Sequence, residues 1–599
     1  MQEGRGSDPG SEPPAVDRRR FLGGVAAAVA GGFAGCNADG YDIVDSTDTF
    51  GHAFPYDPKS LNLNPWPSAA YPLQFYTMLF EPLTVRAPGD GYVLTDVVEG
   101  LESEGSTATL RLSGEYTWWN GEPVTARDQW VYERLQSAVS PEPRPAVELV
   151  DEHTLAYEFD GPRARPLIYS TVAADAVNTA AWLFEQWVDR FDAAGTDTAH
   201  EEVRDRLHEW QISLERSIDE GFGNTPYRLV ESSVNRVMME PFEDHPRAAD
   251  LDIPQLWFPV LQNESRAEFI TRGRVDGGRG LLSSVKGEAD APAFMEQLDS
   301  YQTTNGAKLA LDWRNPHLGR LEVRRAILAA APLPQVVEVG GFGDTKRVQT
   351  GLAEPADERW LGDLEAFRTH PVESDLERAA EHMRAAGYER AGGGDWRGPD
   401  GEKVRFRLRS PLWEDWKFAA RPIVSILDDF GFKVDFNQIA NSRLIADVES
   451  HNFDAILWPS DARPFRTYDV SATSSWTIGY GVTDPDAERS EQGKPVEVEV
   501  PGRSGTVNLV EEWQRLRSAT DESIQREAVR TFARWWNEAL PDIQIATQVT
   551  GVWGNTRDFD WPAADGNTYR LSGPDDHPEF RLLNHGLVRS GDGRTDTDS

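Results

Sequence analysis

Two hydrophobic periods alternate along this chain. Residues 107–112 switch between polar and apolar side chains, as a strand with one buried face does. Over 320–331 the apolar Leu321, Val323, Ile327 and Leu328 recur at largely helical spacing. Residues 376–386 predict a second helix, stopped by Gly387, and 417–430 a third, stopped by Gly431. The apolar run 432–436 then predicts a strand, 442–450 a helix, and 453–458 another strand. Helix and strand in this alternation imply an α/β fold whose sheet is covered by helices.

Breaks in the pattern mark the loops. Residues 2–17, rich in Gly, Ser and Pro, and 589–599 read as loose ends, while 483–504, rich in Asp, Glu, Gly and Pro, reads as a flexible surface insertion. The glycine-rich stretch 340–346 reads as a loop between helix and strand. No repeat of 20 to 50 residues and no heptad run is present. At about 560 residues beyond the first 36, against a usual 100–200 per domain, the chain is long enough for two lobes or more.

The first 36 residues have a grammar of their own. Arg18 and Arg19, in Asp-Arg-Arg-Arg-Phe-Leu, resemble a twin-arginine export signal, and the apolar run 23–35 ends on Phe33-Ala34-Gly35-Cys36, which resembles a lipobox. That run is short of the roughly 20 apolar residues a membrane helix needs. Cys36 is the only cysteine, so no intrachain disulfide can explain it. Lipid attachment at Cys36, and a protein anchored on the outer face of the cell membrane, is the reading; a chance cysteine in a disordered tail is the alternative. The twin-arginine route carries folded proteins, so the rest of the chain is expected to fold before export.

Charge narrows the setting further. The chain carries 99 acidic and 60 basic residues, a net charge of −39, and only 8 of the basic residues are lysine. Acidic, lysine-poor surfaces of this kind resemble those of extreme halophiles. Disorder does not fit, because 39% hydrophobic and 10% aromatic residues supply a large core. Nucleic acid is excluded as a partner by the shortage of basic surface. Repulsion among these charges is screened to about 3 Å only near 1 M salt. The unfolding temperature is therefore expected to rise steeply between about 0.1 M and molar salt; a flat melting temperature over that range would remove the halophile reading.

Catalytic signatures are missing. There is no phosphate loop, no His-Glu-x-x-His helix and no Gly-x-Ser-x-Gly elbow. The 11 histidines show no metal-ligand spacing, so neither metal nor cofactor is expected. His52 reads as an ordinary surface or strand residue, with a cleft-facing position as the alternative. The 20 tryptophans either fill the core or offer platforms to sugars and aromatic ligands.

A run of short segments carries a resemblance. Residues 118–128, Trp-Trp-Asn-Gly-Glu-Pro-Val-Thr-Ala-Arg-Asp, resemble the signature of the extracellular solute-binding proteins of family 5, the peptide-, oligosaccharide- and nickel-binding subunits of ABC importers. Leu63-Asn64-Pro65, Phe80-Glu81-Pro82-Leu83, Gly223-Asn224-Thr225-Pro226-Tyr227, Val323-Arg324-Arg325-Ala326, Ala385-Ala386-Gly387-Tyr388 and the closing helix 526–541 follow in the family's order. Two departures stand out: Asn224-Thr225 replaces Thr-Gly in a turn, and Pro241 to His245 replaces an Asn-x-x-Tyr-Trp segment. Residues 118–128 themselves read mainly as a folding unit, with a turn at Asn120-Gly121 and a helix start at Thr125 and Asp128.

The resemblance implies a two-lobed fold of the type II periplasmic-binding-protein class. It places lobe I at 42–275, lobe II at 276–540, a return to lobe I at 541–585 and a tail at 586–599, with the crossings as hinge. It implies a monomer that binds a peptide or similar organic solute by lobe closure and delivers it to the membrane permease subunits. Trp458-Pro459-Ser460-Asp461-Ala462-Arg463-Pro464 is similar to the family segment whose Asp meets a peptide's α-ammonium group, so Asp461, Trp458 and Arg463 are the candidate ligand residues. Arg463 beside Asp461 favours a neutral ligand or one with its own carboxylate. A turn-capping role for Asp461, an oligosaccharide ligand, a receptor that signals occupancy, and an exported hydrolase remain as alternatives.

Overall fold

The computed structural model describes residues 49–591 apart from 55, 67–72, 88–90, 141–143, 174–175, 262–268, 280–291, 413–415, 417, 441–442, 445–446, 448–451, 472–481, 491 and 572–576. Element ends follow local chemistry. The helices Leu376–Ala385 and Ala420–Phe430 each stop at a glycine with left-handed backbone, Gly387 at φ 80° and Gly431 at φ 101°, a conformation cheap only without a Cβ. The helix Ala126–Val139 opens with a capping box in which the Asp128 carboxylate accepts the Thr125 amide at 2.7 Å. Its other oxygen accepts the Ala181 amide at 2.6 Å, so one buried side chain starts two helices.

The expected helix at 320–331 is Leu321–Ala330, and the expected strands at 107–112 and 432–436 are Thr107–Leu112 and Lys433–Ile439. The helix expected at 442–450 falls largely outside the described residues. The stretch 340–346 is more than a loop, because Gly343–Thr345 pairs with a strand of the main sheet.

Three sheets organise the described chain. One is antiparallel in the order Val98–Glu104, Thr107–Leu112, Thr154–Glu158, Ala146–Leu149. A second runs Thr49–Gly51, Gln255–Pro259, Arg236–Pro241, Tyr227–Ser232, with its first pair parallel. The third is mixed and seven-stranded, in the order Gly277–Arg279, Asp542–Asn555, Met295–Leu311, Ala455–Asp461, Arg405–Pro411, Lys433–Ile439, with Gly343–Thr345 beside Asp542–Asn555.

The apolar side chains gather into separate cores. The first draws on Phe50 to Phe258 and again on Val552, Phe559 and Phe580 to Val588. The second includes Leu309, Ile327, Leu408, Leu457 and Ile543, and a third joins Trp360, Trp513, Phe532 and Trp536. Two long antiparallel strands, Met295–Leu311 and Asp542–Asn555, serve the first two cores at once. Leu298, Tyr301 and Val552 pack on the first, while Ala307, Leu309, Ile543 and Ile545 pack on the second. Their pairing shifts register between Gln302 and Gly306, at the passage from one core to the other.

The stretch 483–504 is not the free surface insertion expected from its composition. Val496, Val498 and Val500 are buried in the third core, and Glu497–Glu499 forms a hairpin with Thr506–Asn508. Lys494 is buried too, its Nζ 3.1 Å from Asp542, whose other oxygen lies 3.0 Å from Lys308 Nζ. Sparse valines among acids and glycines hid an apolar face.

Both departures from the family pattern are compensated by buried polar side chains. Asn224 accepts the Glu81 amide at 2.7 Å and donates to the Val177 carbonyl at 2.7 Å, and the Thr225 hydroxyl donates to the Met78 carbonyl at 2.7 Å. Gly223 leaves room for Trp119, whose ring would lie 2.4 Å from a Cβ there. In the altered segment after Met239, His245 and Arg247 turn onto the buried Glu81. Burial works against the Glu81 charge, but Arg247 and His245 outweigh it and bring the carboxyl from 4.5 down to about 2. A depressed carboxyl stabilises the fold above its unfolded value and loses that contribution as pH falls through the folded one. Denaturant unfolding of the parent and of Glu81→Gln is accordingly expected to differ most above about pH 4.5 and to converge towards pH 2; a difference independent of pH would show that the charge is not what stabilises this loop.

Candidate ligand-binding site

Asp461 ends a strand. The expected loop from Trp458 onward is still paired, with Trp458 opposite Lys308 and Asp461 opposite Asn305, because Met295–Leu311 is long enough to supply partners beyond the core. On its other side Ala455–Asp461 pairs only as far as Ile456, so Pro459 sits where one edge is open and a missing N–H is tolerated. Asp461 thus lies level with the register shift between Gln302 and Gly306, at the passage between the two cores. The chain then turns at Ala462, whose amide donates to the Thr304 carbonyl at 2.8 Å.

Arg463 grips Asp461 with two nitrogens, Nε at 2.6 Å and Nη2 at 2.5 Å. Its third nitrogen, Nη1, donates to the Tyr92 hydroxyl at 3.2 Å. Tyr92 belongs to the strand Gly91–Leu94 and packs against the first core, so this guanidinium links the end of the strand Ala455–Asp461 to that core. Burial pushes the Asp461 carboxyl up, but Arg463, then Arg466 and Arg86, more than reverse this and hold it below the usual carboxylate range. The site is therefore locally cationic in a chain of net charge −39.

Trp458 is placed differently from an aromatic platform. Its indole is 2% exposed and packs in a small core with Ala310, Leu444, Phe453 and Ile456. Strand alternation puts Trp458 on the sheet face of Ile456, opposite that of Leu457 and Asp461.

Tyr92 also borders a cavity of about 440 Å³. Tyr92, Arg165 and Tyr169 line it from the side of the first core, and Arg359, Glu522 and Gln525 from the helices of the third. The two tyrosine rings lie 6.0 Å apart, and Arg165 donates to the Tyr169 hydroxyl at 2.8 Å. Glu522 is occupied by Arg526, which donates from both Nε and Nη2. Aromatic faces with guanidinium groups suit a solute that offers carboxylate or hydroxyl oxygens. None of these lining residues stands out in sequence, because four different elements bring them together. Arg18, Arg19 and Cys36 lie outside the described residues, and among the described residues no helix is long and apolar enough to cross a membrane.

The model for the bacterial extracellular solute-binding proteins of family 5 matches residues 96–477, well over half of the chain. The chain belongs to this family. No curated protein sequence matches significantly. Among solved structures, this family 5 protein is similar to the oligopeptide-binding protein AppA of Bacillus subtilis in complex with a nonapeptide, with a TM-score of 0.61 at 12% identity over 91% of this chain and 99% of that one. It is also similar to the periplasmic oligopeptide-binding protein of Thermotoga maritima, with a TM-score of 0.67 at 18% identity over 91% of this chain and all of the other. The same Thermotoga protein bound to mannohexaose gives a TM-score of 0.64, again at 18% identity, over 92% of this chain and all of that one. The family 5 protein therefore has the two-lobed, type II α/β fold that its motif order implied.

Proposed function

We propose that this solute-binding protein is the lipid-anchored, extracytoplasmic subunit of an ABC importer. It captures a peptide or similar organic solute between two lobes and hands it to the membrane permease subunits. The observation that supports the reading is the contact Asp461–Arg463–Tyr92, which ties the end of the strand Ala455–Asp461 to a tyrosine packed on the first core. In this reading Met295–Leu311 and Asp542–Asn555 are the hinge, and lobe closure is stabilised by the contacts a ligand makes with both sides at once. The boundary between lobes I and II then falls within these strands, near residues 302–306 and 547–549, where pairing shifts register.

Asp461 and Arg463 act as one neutral pair that can meet both charges of a zwitterionic ligand, and Trp458 supports them from behind. The oligopeptide-binding relatives favour a peptide, whereas the mannohexaose complex and the Tyr92–Tyr169 pair favour an oligosaccharide as second reading. Mass analysis of ligand retained through native purification in molar salt separates them. Retained peptide supports the main reading, retained sugar the second, and turnover of either would replace binding by hydrolysis. Anchoring has its own test: Cys36→Ser is expected to release the protein into the medium, and an unchanged membrane-bound fraction would remove the lipid anchor.

A further inference from the structure

Two ends of the chain meet in a cluster that ligand capture does not use. His52 directly follows the strand Thr49–Gly51, and Glu579 lies 527 residues further on, in the first turn of the helix Pro578–Asn584, with His577 just before it. Nε2 of His52 stands 3.1 Å from Glu579 Oε1, and Nδ1 of His577 stands 2.7 Å from the same oxygen. The Arg279 amide donates to that oxygen as well, at 3.1 Å.

The tautomer of His52 follows from its other nitrogen. Nδ1 lies 3.0 Å from the Ala53 carbonyl, which only accepts, so Nδ1 carries a hydrogen. A neutral His52 ring then presents the lone pair of Nε2 to a carboxylate oxygen, a repulsive contact that a proton on Nε2 or a metal ion between the two relieves. Glu579 is fully buried, and its second oxygen, Oε2, has no hydrogen-bond partner among the described residues. A bare carboxylate oxygen inside a protein is costly. Both features disappear if an ion sits among the three side chains.

We propose that His52, His577 and Glu579 hold a divalent transition metal of the zinc class. Their donor atoms all lie within 4.8 Å of one another, close enough for one ion to touch all three after small rotations. Two imidazoles and one carboxylate suit zinc, cobalt or nickel better than calcium or magnesium, which prefer oxygen alone. The His52 Nδ1–H to carbonyl bond is the kind of outer contact that orients a metal-bound imidazole. Phe580 lies 4.6 Å from the His52 ring and stacks at 5.1 Å on His577, walling the site with apolar surface. His577 is only partly buried, so the ion enters on its side and keeps a water there. The ion pins the C-terminal helix to the first strand of its sheet and, through Arg279, to Gly277–Arg279 beside the hinge strand Asp542–Asn555.

The test uses the full chain, stripped with a chelator and titrated with Zn²⁺ in molar KCl. One tight zinc per chain is expected, with a higher melting temperature on loading, and Co²⁺ should give the visible absorption of a four-coordinate site. His577→Ala should weaken zinc binding by roughly a hundredfold or more, given that even outer-shell changes cost about 10- to 100-fold, and should erase the cobalt bands. That variant keeps every surface acid, so loose binding to the −39 charge is subtracted out. His577→Gln serves if the alanine variant does not fold. The proposal is overturned if the parent binds no zinc, or if parent and variant bind it with equal affinity.

Discussion

Asp542→Ala is expected to destabilise the protein by about 3–5 kcal/mol, the usual cost of stranding buried charge. Asp542 is 1% exposed and lies between two ammonium groups, Lys308 at 3.0 Å and Lys494 at 3.1 Å, while also accepting the Leu311 amide at 3.1 Å. Without it, two buried lysines lose the carboxylate that both of them contact. Lys494→Met is the informative partner. It leaves a one-to-one pair of Lys308 and Asp542 and fills similar volume, so its cost should stay below about 1.5 kcal/mol. Burial pulls the Lys494 ammonium below its ordinary value despite Asp542. Denaturant unfolding at constant molar salt gives both numbers. Equal losses in the two variants would mean that packing, and not charge balance, sets the stability of this junction.

Asp461→Asn is expected to weaken binding of a ligand with a free ammonium group by about 2–5 kcal/mol, roughly thirtyfold or more. Arg463→Met is expected to act in the opposite sense on a ligand whose ammonium is its only charge, because it frees the carboxylate that Arg463 now neutralises with two hydrogen bonds. For a neutral sugar, losing one hydrogen bond should cost only about 0.5–1.5 kcal/mol. Titration calorimetry with the co-purified solute decides between these outcomes. If neither substitution changes affinity, the segment is a strand end and turn without a binding role.

Motif order identified the fold because each motif marks a local event whose physics is short-ranged. Gly387 and Gly431 end helices wherever they stand, and Thr125 with Asp128 starts one. The Asp461–Arg463 pair was legible for the same reason, since its members are two residues apart. What stayed hidden depends on distant pairing. The strand Ala455–Asp461 outruns its apolar core only because Met295–Leu311 extends beside it, so a run ending at Trp458 looked complete. Trp458 looked available to a ligand, and strand alternation turned it inward. The burial of Lys494, Val496, Val498 and Val500 depends on Asp542 and on helices that follow them in the chain. The meeting of His577 and Glu579 with His52 was equally hidden, because His52 comes from the other end of the chain.

The composition of the first core also sets an order of events during synthesis. Its residues up to Phe258 leave the ribosome early, but Val552, Phe559 and Phe580 to Val588 belong to the same core and emerge roughly 300 residues later, a delay on the order of 15–60 s at about 5–20 residues per second. Until then the early portion carries an unfinished apolar face, although both of its sheets are already complete. Completion of this lobe therefore waits for those late residues, and through that interval the growing chain is shielded from its neighbours by little except its own negative charge.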